Sequence, residues 1–262
     1  AITNIMLDPV FIFVFKMGVN GAAIATVIGQ AVGCAVSLYF VIRNKYIKIK
    51  PQHLKLEKRM VASIYSVGAP TIITNSIGTV MTGAMNAILI GFSTTAVSVF
   101  SVYFKLQSFV FMPIFGLSSG MVPIIAYNYG ARKKKRVMST IWIGTLIAIV
   151  IMAVGTIVFN LFPEALLSLF SATEEMYRLG VPALKIISFC FVSAAISIGL
   201  GSSFQATGYG IGTMIVSISR QLLVLIPVAY ILSKLMGING VWLSFIIAEG
   251  VGLAVSLILF LK

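Results

Sequence analysis

The sequence predicts an all-helical membrane protein, a polytopic bundle of seven complete transmembrane helices preceded by a partial one. Composition is the first reason: 59% of the 262 residues are hydrophobic and 10% are charged, against about 25% charged in a typical soluble domain. The mean hydropathy is +1.07. The second reason is the length of the uncharged runs, because a membrane-spanning helix needs about 20 mostly apolar residues.

The uncharged runs indicate where the helices lie. Ala1–Phe15 is long enough for part of a span, and Gly21–Ile42 contains 22 residues without a charge. Met60–Phe104 has 45 uncharged residues, which is enough for two helices divided near Gly91. Later runs complete the total of seven, and the last of them, Ile238–Leu261, reaches the end of the sequence.

Positive charge is concentrated in two loops. Seven Lys and Arg residues lie in Arg43–Arg59 and five in Arg132–Arg136, within a net charge of +13. The RKKKR run resembles a nucleic-acid-binding sequence, but cytoplasmic loops of membrane proteins also concentrate Lys and Arg. The two loops are separated by two helices and therefore lie on one side. We interpret both loops, and the C-terminus, as cytoplasmic, with the lipid bilayer and not nucleic acid as the partner.

One helix occurs twice. Gly18–Leu38 and Gly237–Leu257 are identical at 10 of 21 aligned positions, with an offset of 219 residues. The repeat predicts that residues 1–43 are the last one and a half helices of an N-terminal lobe. Residues 44–59 then form a basic inter-lobe linker, and residues 60–262 form a six-helix C-terminal lobe. We expect a complete protein of six plus six helices, a duplication typical of secondary transporters, of which this sequence is a fragment.

Several motifs resemble the multidrug and toxic compound extrusion (MATE) family, and its bacterial MepA-like branch most closely. They are NIMLDPVFIF at Asn4–Phe13, the GVNGAAIAT helix start, the Lys105–Arg136 run and GINGVWLS at Gly237–Ser244. The resemblance implies a two-lobed antiporter, not an enzyme, that exports drugs and organic cations against Na⁺ or H⁺. It implies no cofactor besides that coupling ion. We expect a monomer, and we expect the truncated chain to be inactive by itself.

A candidate ion site lies in the first hairpin. Asn4 and Asp8 are four residues apart and share one helix face, while Asp8 and Thr26 lie eight residues from opposite sides of the turn at Lys16–Gly18. Because Asp8 and Thr26 lie at a similar depth in the membrane, we expect the three side chains to form a site of oxygen ligands for Na⁺ or a protonation site. Ionisable residues inside membranes are usually functional. Alternatively, Asp8–Pro9 only marks a helix break. The family resemblance implies that the matching Asn, Asp and Thr belong to the N-lobe cation site.

A polar stripe follows one face of the first C-lobe helix, at steps of four, four, three and four residues: Thr71, Asn75, Thr79, Thr82 and Asn86. In lipid such a stripe must face a water-filled cavity or a polar partner helix, and we favour a substrate cavity. Some MATE branches carry an essential Glu on this helix. No carboxylate is present here, which argues against a C-lobe cation site of that type.

Their depth in the membrane assigns two further charges to the cavity. Lys105 and Glu249 each lie about ten residues from an outer loop, so we expect an ion pair that either holds the bundle together or contacts substrate. Arg220 lies near the cytoplasmic end of its helix, and we expect its side chain to extend to the membrane surface.

Three other classes fit parts of the sequence. A lipid-linked oligosaccharide flippase of the same superfamily would share the duplicated lobes but would need several cations in its cavity, where we expect Lys105 alone. A seven-helix photoreceptor would need a mid-membrane Lys in the last helix, and the sequence has only the terminal Lys262 there. A zinc-dependent membrane protease would need an HExxH motif, and the sequence contains one His.

Overall fold

A computed structural model describes residues 2–44 and 57–261, apart from the side chains of Ser63, Ser66 and Val67. The chain divides into two compact units, Ala1–Val61 and Ala62–Lys262. All regular elements in the described residues are helical. Most of the predicted basic linker at 44–59 lies outside the described residues, so the proposed lobe boundaries stay a prediction.

The first unit is a helical hairpin. Helix α1 (Ile2–Pro9) continues as a π-helical segment (Val10–Val14), and α2 covers Gly18–Arg43. The π-helical segment follows directly on Pro9. Proline lacks a backbone N–H, and its ring disturbs the hydrogen bonds of the α-helix. The chain reverses through Lys16 and Gly18, with φ of 52° and 54°.

The second unit contains the remaining described helices, except for the first turn of α3, which precedes Ala62. They are α3 (Lys58–Ile90), α4 (Thr94–Gly130), α5 (Lys134–Leu161), α6 (Pro163–Ser168), α7 (Glu174–Ser188), α8 (Phe191–Ala206), α9 (Gly210–Ser217), α10 (Ile226–Met236) and α11 (Ile238–Leu261). A π-helical segment, Ile218–Leu225, joins α9 to α10. The three pieces together make one 27-residue apolar stretch, Gly210–Met236.

The helix lengths confirm the predicted class. Among the described residues, six helices are long and apolar enough to cross a membrane. The pair α7 and α8, bent by 47°, makes a seventh if it is counted as one span. The shorter apolar helix Ile2–Val14 corresponds to the predicted partial span. The protein is therefore a multi-pass helical membrane protein.

One predicted helix end is wrong. The uncharged run stops at Phe104, but α4 continues through Lys105 to Gly130 as a single helix of 37 residues. The Lys105 side chain is exposed, and its ammonium lies 5.8 Å from the centroid of the Phe170 ring. Contact with a ring face stabilises a cation, so one Lys does not end the helix.

The core of the second unit is built from aromatic side chains and close helix contacts. Trp242, Tyr103 and Phe100 are almost fully buried, and the Phe100 and Trp242 ring centroids are 6.3 Å apart. Gly155 on α5 lets Val110 of α4 approach so closely that a β-carbon at residue 155 would overlap it. Small residues commonly allow such contacts between membrane helices.

Candidate functional site

The first hairpin brings the three predicted ion-site residues together. The Asn4 amide nitrogen donates to Asp8 Oδ1 at 3.3 Å and to Thr26 Oγ1 at 3.4 Å. The Thr26 hydroxyl donates to the Ala22 carbonyl at 2.9 Å, within its own helix. The amide therefore links a carboxylate on α1 to a hydroxyl on α2.

The link holds in both orientations of the Asn4 amide. Rotated by half a turn, the amide nitrogen donates to Asp8 Oδ2 at 3.2 Å, and the amide oxygen accepts from the Thr26 backbone nitrogen at 3.3 Å. Amide orientation is assigned from hydrogen bonding, and the rotated form satisfies both ends. In that form the Thr26 hydroxyl no longer accepts from Asn4.

Small residues on α2 create this proximity. Gly21 and Ala25 are the buried residues of the helix, four apart on one face, and Gly29 continues the row. A β-carbon at residue 21 would lie 2.8 Å from the Phe11 carbonyl oxygen, and one at residue 29 would lie 3.1 Å from Asn4 Cβ. Glycine at both positions therefore lets α1 approach α2 until Asn4 reaches Thr26.

The cluster contains one ionisable group, the Asp8 carboxyl. Asn4 and Asp8 are half-buried, Thr26 is exposed, and within residues 2–44 no Lys or Arg forms an ion pair with Asp8. Carboxylate, amide and hydroxyl oxygens are the ligands that hard cations prefer. The chemistry of the set therefore fits Na⁺, and the carboxylate alone fits a proton.

The polar stripe on α3 lies beside the core and not in it. Thr71, Asn75 and Thr79 are exposed within the second unit, while Thr82 and Asn86 are half-buried. The buried face is a separate apolar row, Ile77, Met81, Met85 and Leu89. The row and the stripe occupy neighbouring faces of the helix. That the stripe faces a substrate cavity stays a prediction.

The predicted pairing of Lys105 with Glu249 is wrong. Glu249 on α11 accepts from Arg220 Nη1 at 2.7 Å through its Oε1. The predicted extension of Arg220 to the membrane surface is wrong as well, since the guanidinium turns inward to this carboxylate. The side chains of Arg220 and Glu249 are 25% and 15% exposed, and their mutual charge neutralisation lowers the penalty of burial in lipid.

Local geometry delivers Arg220 to this position. The residue lies in the π-helical segment Ile218–Leu225, and single π turns inside helices occur frequently at functional sites. Across the interface, Gly252 of α11 provides room for the arginine stem, because a β-carbon there would lie 3.0 Å from Arg220 Cδ.

The ion pair lines a cavity of about 370 Å³ in the second unit, which we call the aromatic cavity. Its apolar lining includes Met81, Tyr103, Phe104, Phe111, Met112, Phe115 and Phe245. Its polar lining includes Gln107, Ser108, Arg220, Gln221 and Glu249. Apolar walls with a few convergent polar groups are typical of small-molecule sites, which measure about 300–1,000 Å³.

Two polar atoms in the cavity lining are unsatisfied. Glu249 Oε2 and the Tyr103 hydroxyl are buried and have no hydrogen-bond partner among the described residues. A buried polar atom without a partner is unfavourable and indicates a function or an additional ligand. Of the predicted cavity residues, Glu249 lines this cavity, and Lys105 instead contacts Phe170.

Arg220 is the site residue that sequence reasoning missed, although a signal was present. It lies ten residues after Gly210, the start of α9, and Glu249 lies twelve residues before Leu261, the end of α11. Counted from that common end of the hairpin, the two charges have similar depth. When the depth of Glu249 is counted from the outer turn at the start of α11 instead, Lys105 becomes the expected partner.

Comparison with known proteins identifies the family. The family model MatE matches residues 70–231, which is more than half of the chain. The chain belongs to the MatE family. The resemblance of the sequence motifs to MATE proteins is thereby confirmed, and so is the expectation that the sequence belongs to a transporter family and not to an enzyme family.

The relatives found for this MatE chain are longer than it. Multidrug export protein MepA of Staphylococcus haemolyticus (strain JCSC1435) is 33% identical over 249 residues, which cover 95% of this chain and 55% of that protein. The protein of the same name from Staphylococcus saprophyticus subsp. saprophyticus is 30% identical over 262 residues, 99% of this chain and 58% of its own. The chain thus spans a little over half the length of these curated relatives.

A solved structure shows the same fold. It is the outward-facing conformation of a multidrug resistance MATE family transporter of the MOP superfamily, and it matches with a TM-score of 0.89 at 24% identity. The match covers 98% of this chain and 59% of that one. At this identity the likeness concerns the fold alone.

Proposed function

We propose that the protein containing this sequence is a secondary active multidrug exporter that expels drugs and organic cations in exchange for Na⁺ or H⁺. Similarity to MepA multidrug export proteins over 95% of the chain supports this proposal. We further propose that the protein works as a monomer in the bacterial plasma membrane.

The basic loops set the proposed orientation. The run Arg132–Arg136 lies at the turn between α4 and α5, and positive loops favour the cytoplasmic side. Arg43–Arg59 follows the same rule. In this orientation the Gly91 turn and the α10–α11 turn face outward, and the C-terminus faces the cytoplasm.

The Asn4–Asp8–Thr26 cluster is the single observation that carries ion coupling. Its carboxylate has no cationic partner among the described residues of its own unit, so a bound Na⁺ or proton would neutralise it. A bound ion shifts the balance between outward-open and inward-open states only through a difference in affinity for the two states. We propose that the cluster provides this difference, because α1 and α2 contribute to it from both sides of a turn.

The C-terminal unit supplies the proposed substrate contacts. The stripe Thr71–Asn86 and the aromatic cavity both offer polar groups beside apolar walls. Lys105, on the outer half of α4, would contact substrate near that end of the route. Glu249 is the proposed anionic contact for a cationic drug.

Ethidium efflux tests ion coupling at Asp8. Vesicles containing the protein are loaded with ethidium, and efflux is followed after a Na⁺ or H⁺ gradient is imposed. Asp8→Asn keeps size and hydrogen bonding but removes the charge, so we expect gradient-driven efflux to fall on the order of tenfold or more. The matched control is Glu164→Gln, the same change at an exposed carboxyl on α6. Unimpaired efflux by Asp8→Asn would remove this cluster from the mechanism.

A further inference from the structure

Arg220 lies between two cavities of the second unit. It lines the aromatic cavity, and it also lines a second cavity of about 320 Å³. We call the second one the hydroxyl cavity, because its lining includes Ser118, Ser197, Ser202, Thr213, Ser217 and Ser256. Phe115 belongs to both linings as well. A single guanidinium is therefore adjacent to an apolar site and to a hydroxyl-rich one.

In the structure Arg220 points to the aromatic cavity, where it bonds to only one of the two carboxylate oxygens of Glu249. Glu249 Oε1 accepts its hydrogen bond at 2.7 Å, while Oε2 has no partner among the described residues. The carboxylate can therefore accept from a second donor or pair with a second cation at the cavity surface.

The hydroxyl cavity is equipped to receive the guanidinium. Ser202 and Ser256 donate to carbonyls of their own helices at 3.0 and 2.8 Å. The Ser202 oxygen also lies 2.6 Å from the Ser118 oxygen, which uses one of its lone pairs, while the other lone pair and those of Ser256 remain available. Ser197 is 8% exposed, and its hydroxyl has no hydrogen-bond partner in the described part of the chain. The Thr213 hydroxyl likewise has no hydrogen-bond partner among the described residues. These oxygens can accept from the five N–H donors of arginine.

We propose that Glu249 binds the positive charge of an aromatic organic cation, and that this cation displaces the Arg220 guanidinium into the hydroxyl cavity. The proposal rests on the proposed function for its substrate class and adds the subsite and an internal competitor. In the empty protein, Arg220 occupies the place of the substrate charge.

The exchange never leaves the Glu249 carboxylate without a cation. The carboxylate keeps one cationic partner before and after exchange, so it is not left as an unpaired charge in the low-dielectric interior, and the cost falls on the displaced arginine. The flat walls of Tyr103, Phe111 and Phe245 line the same cavity, and aromatic faces attract cations. The displaced guanidinium exchanges a carboxylate for neutral oxygens and stays hydrogen-bonded.

The exchange predicts opposite effects from the two members of one ion pair. Arg220→Gln removes the competitor, so ethidium should bind about tenfold more tightly, equivalent to ~1.4 kcal/mol. Glu249→Gln removes the anionic contact, so ethidium should bind about tenfold more weakly. A purely structural pair would not separate the variants in this way, because loss of either partner would disturb the cavity similarly.

Gly252 offers a milder test that leaves both charges in place. A β-carbon at residue 252 would crowd the Arg220 stem in its present position, at 3.0 Å from Cδ and 3.2 Å from Cγ. Gly252→Ala should therefore favour the displaced arginine and tighten ethidium binding by less than Arg220→Gln does. Gly250→Ala is the matched control on the same helix, where a β-carbon meets nothing within 4 Å.

The experiment is equilibrium ethidium binding by fluorescence anisotropy to the purified protein containing this chain and to the four variants. Uncharged phenanthridine, which shares the ring system, is the second ligand, and its affinity should change equally little in all of them. Variants are compared only when they elute as monodisperse protein, and Gly252→Ala carries the test if a charge variant fails to fold. Tighter binding by Arg220→Gln or Gly252→Ala with weaker binding by Glu249→Gln supports the exchange. The exchange would be overturned if the Arg220 and Glu249 variants changed the ethidium affinity in the same direction. It would also be overturned if the affinity for phenanthridine changed as much as that for ethidium.

The outcome is separable from that of the proposed coupling site. Asp8→Asn should retain the ethidium affinity of the Glu249 subsite while it loses gradient-driven efflux. If the Arg220 and Glu249 variants shift binding oppositely but Asp8→Asn exports normally, the subsite stands and the coupling proposal fails. The reverse result removes the subsite and keeps the coupling proposal.

Discussion

The hairpin α1–α2 and the hairpin formed by Gly210–Met236 and α11 are two copies of one design with different chemistry. Both reverse direction at a glycine with positive φ, Gly18 at 54° and Gly237 at 65°. Three residues later each has a glycine pressed against a backbone carbonyl, Gly21 against Phe11 and Gly240 against Leu232. The turn and the close helix contact are therefore common to both.

The polar groups differ at equivalent positions. With the 219-residue offset, Thr26 corresponds to Phe245 and Gln30 to Glu249. The first hairpin holds a carboxylate that accepts from an amide beside a hydroxyl and that forms no ion pair with any described residue. The second neutralises its carboxylate with an arginine. The duplicated backbone thus acts as a scaffold, and a few side chains decide whether it presents net charge or an internal ion pair.

The largest expected contrast is in stability. Glu249→Gln leaves the Arg220 charge without a carboxylate, and we expect a loss of about 2–3 kcal/mol, less than the ~3–5 kcal/mol for full burial because both side chains are partly exposed. Asp8→Asn removes a charge that has no cationic partner among the described residues of its unit, so we expect no loss of stability. Thermal unfolding in detergent measures both. Equal destabilisation by the two variants would mean that the hairpins do not differ in charge balance.

The next effect tests the shared scaffold. A β-carbon at Gly21 or Gly240 would clash with main-chain atoms that cannot rotate away, so each Gly→Ala change should lower stability by about 1–3 kcal/mol. Gly33→Ala and Gly250→Ala are controls on the same two helices, where a β-carbon has open space. The same unfolding measurement applies. A loss in only one hairpin would contradict a common packing design.

The features that distinguish the two hairpins are not equally easy to predict from the sequence. Spans follow from apolar runs because lipid excludes charges over a known length. The Asn4–Asp8–Thr26 cluster was predictable because Asp8 and Thr26 are counted from one turn. The Arg220–Glu249 pair was harder to predict, since both Lys105 and Arg220 lie at a depth that fits Glu249, and the π-helical segment changes the face on which Arg220 lies. Lys105 likewise shows that a single charge beside an aromatic ring does not end a span.

A smaller effect concerns the hydroxyl of the first hairpin. Thr26→Ala removes one neutral oxygen and leaves the Asp8 carboxylate, so gradient-driven ethidium efflux should fall by less than it does in Asp8→Asn, on the order of a few-fold. Thr26→Ser keeps the hydroxyl and should retain near-normal efflux. If Thr26→Ala matched Asp8→Asn, the hydroxyl would be an equal partner in coupling.

The smallest expected change comes from Gly29. A β-carbon there would lie 3.1 Å from Asn4 Cβ, so Gly29→Ala should push Asn4 slightly away from Thr26 and reduce efflux less than Thr26→Ala. The control is Gly33→Ala, one helical turn further along. Identical efflux rates for the two alanine variants would show that the Asn4 contact is not needed for coupling.

Ion-dependent stabilisation tests most directly the claim that the first hairpin, and not the second, holds the coupling ion. A ligand that binds only the folded state stabilises it by ~2.7 kcal/mol at a hundredfold excess over Kd. Melting temperatures of the purified protein are measured as Na⁺ is raised at fixed pH and as pH is lowered without Na⁺. We predict that one ion stabilises the wild type, that Asp8→Asn loses this gain and that Glu249→Gln retains it. Retention of the gain by Asp8→Asn together with its loss in Glu249→Gln would contradict the account.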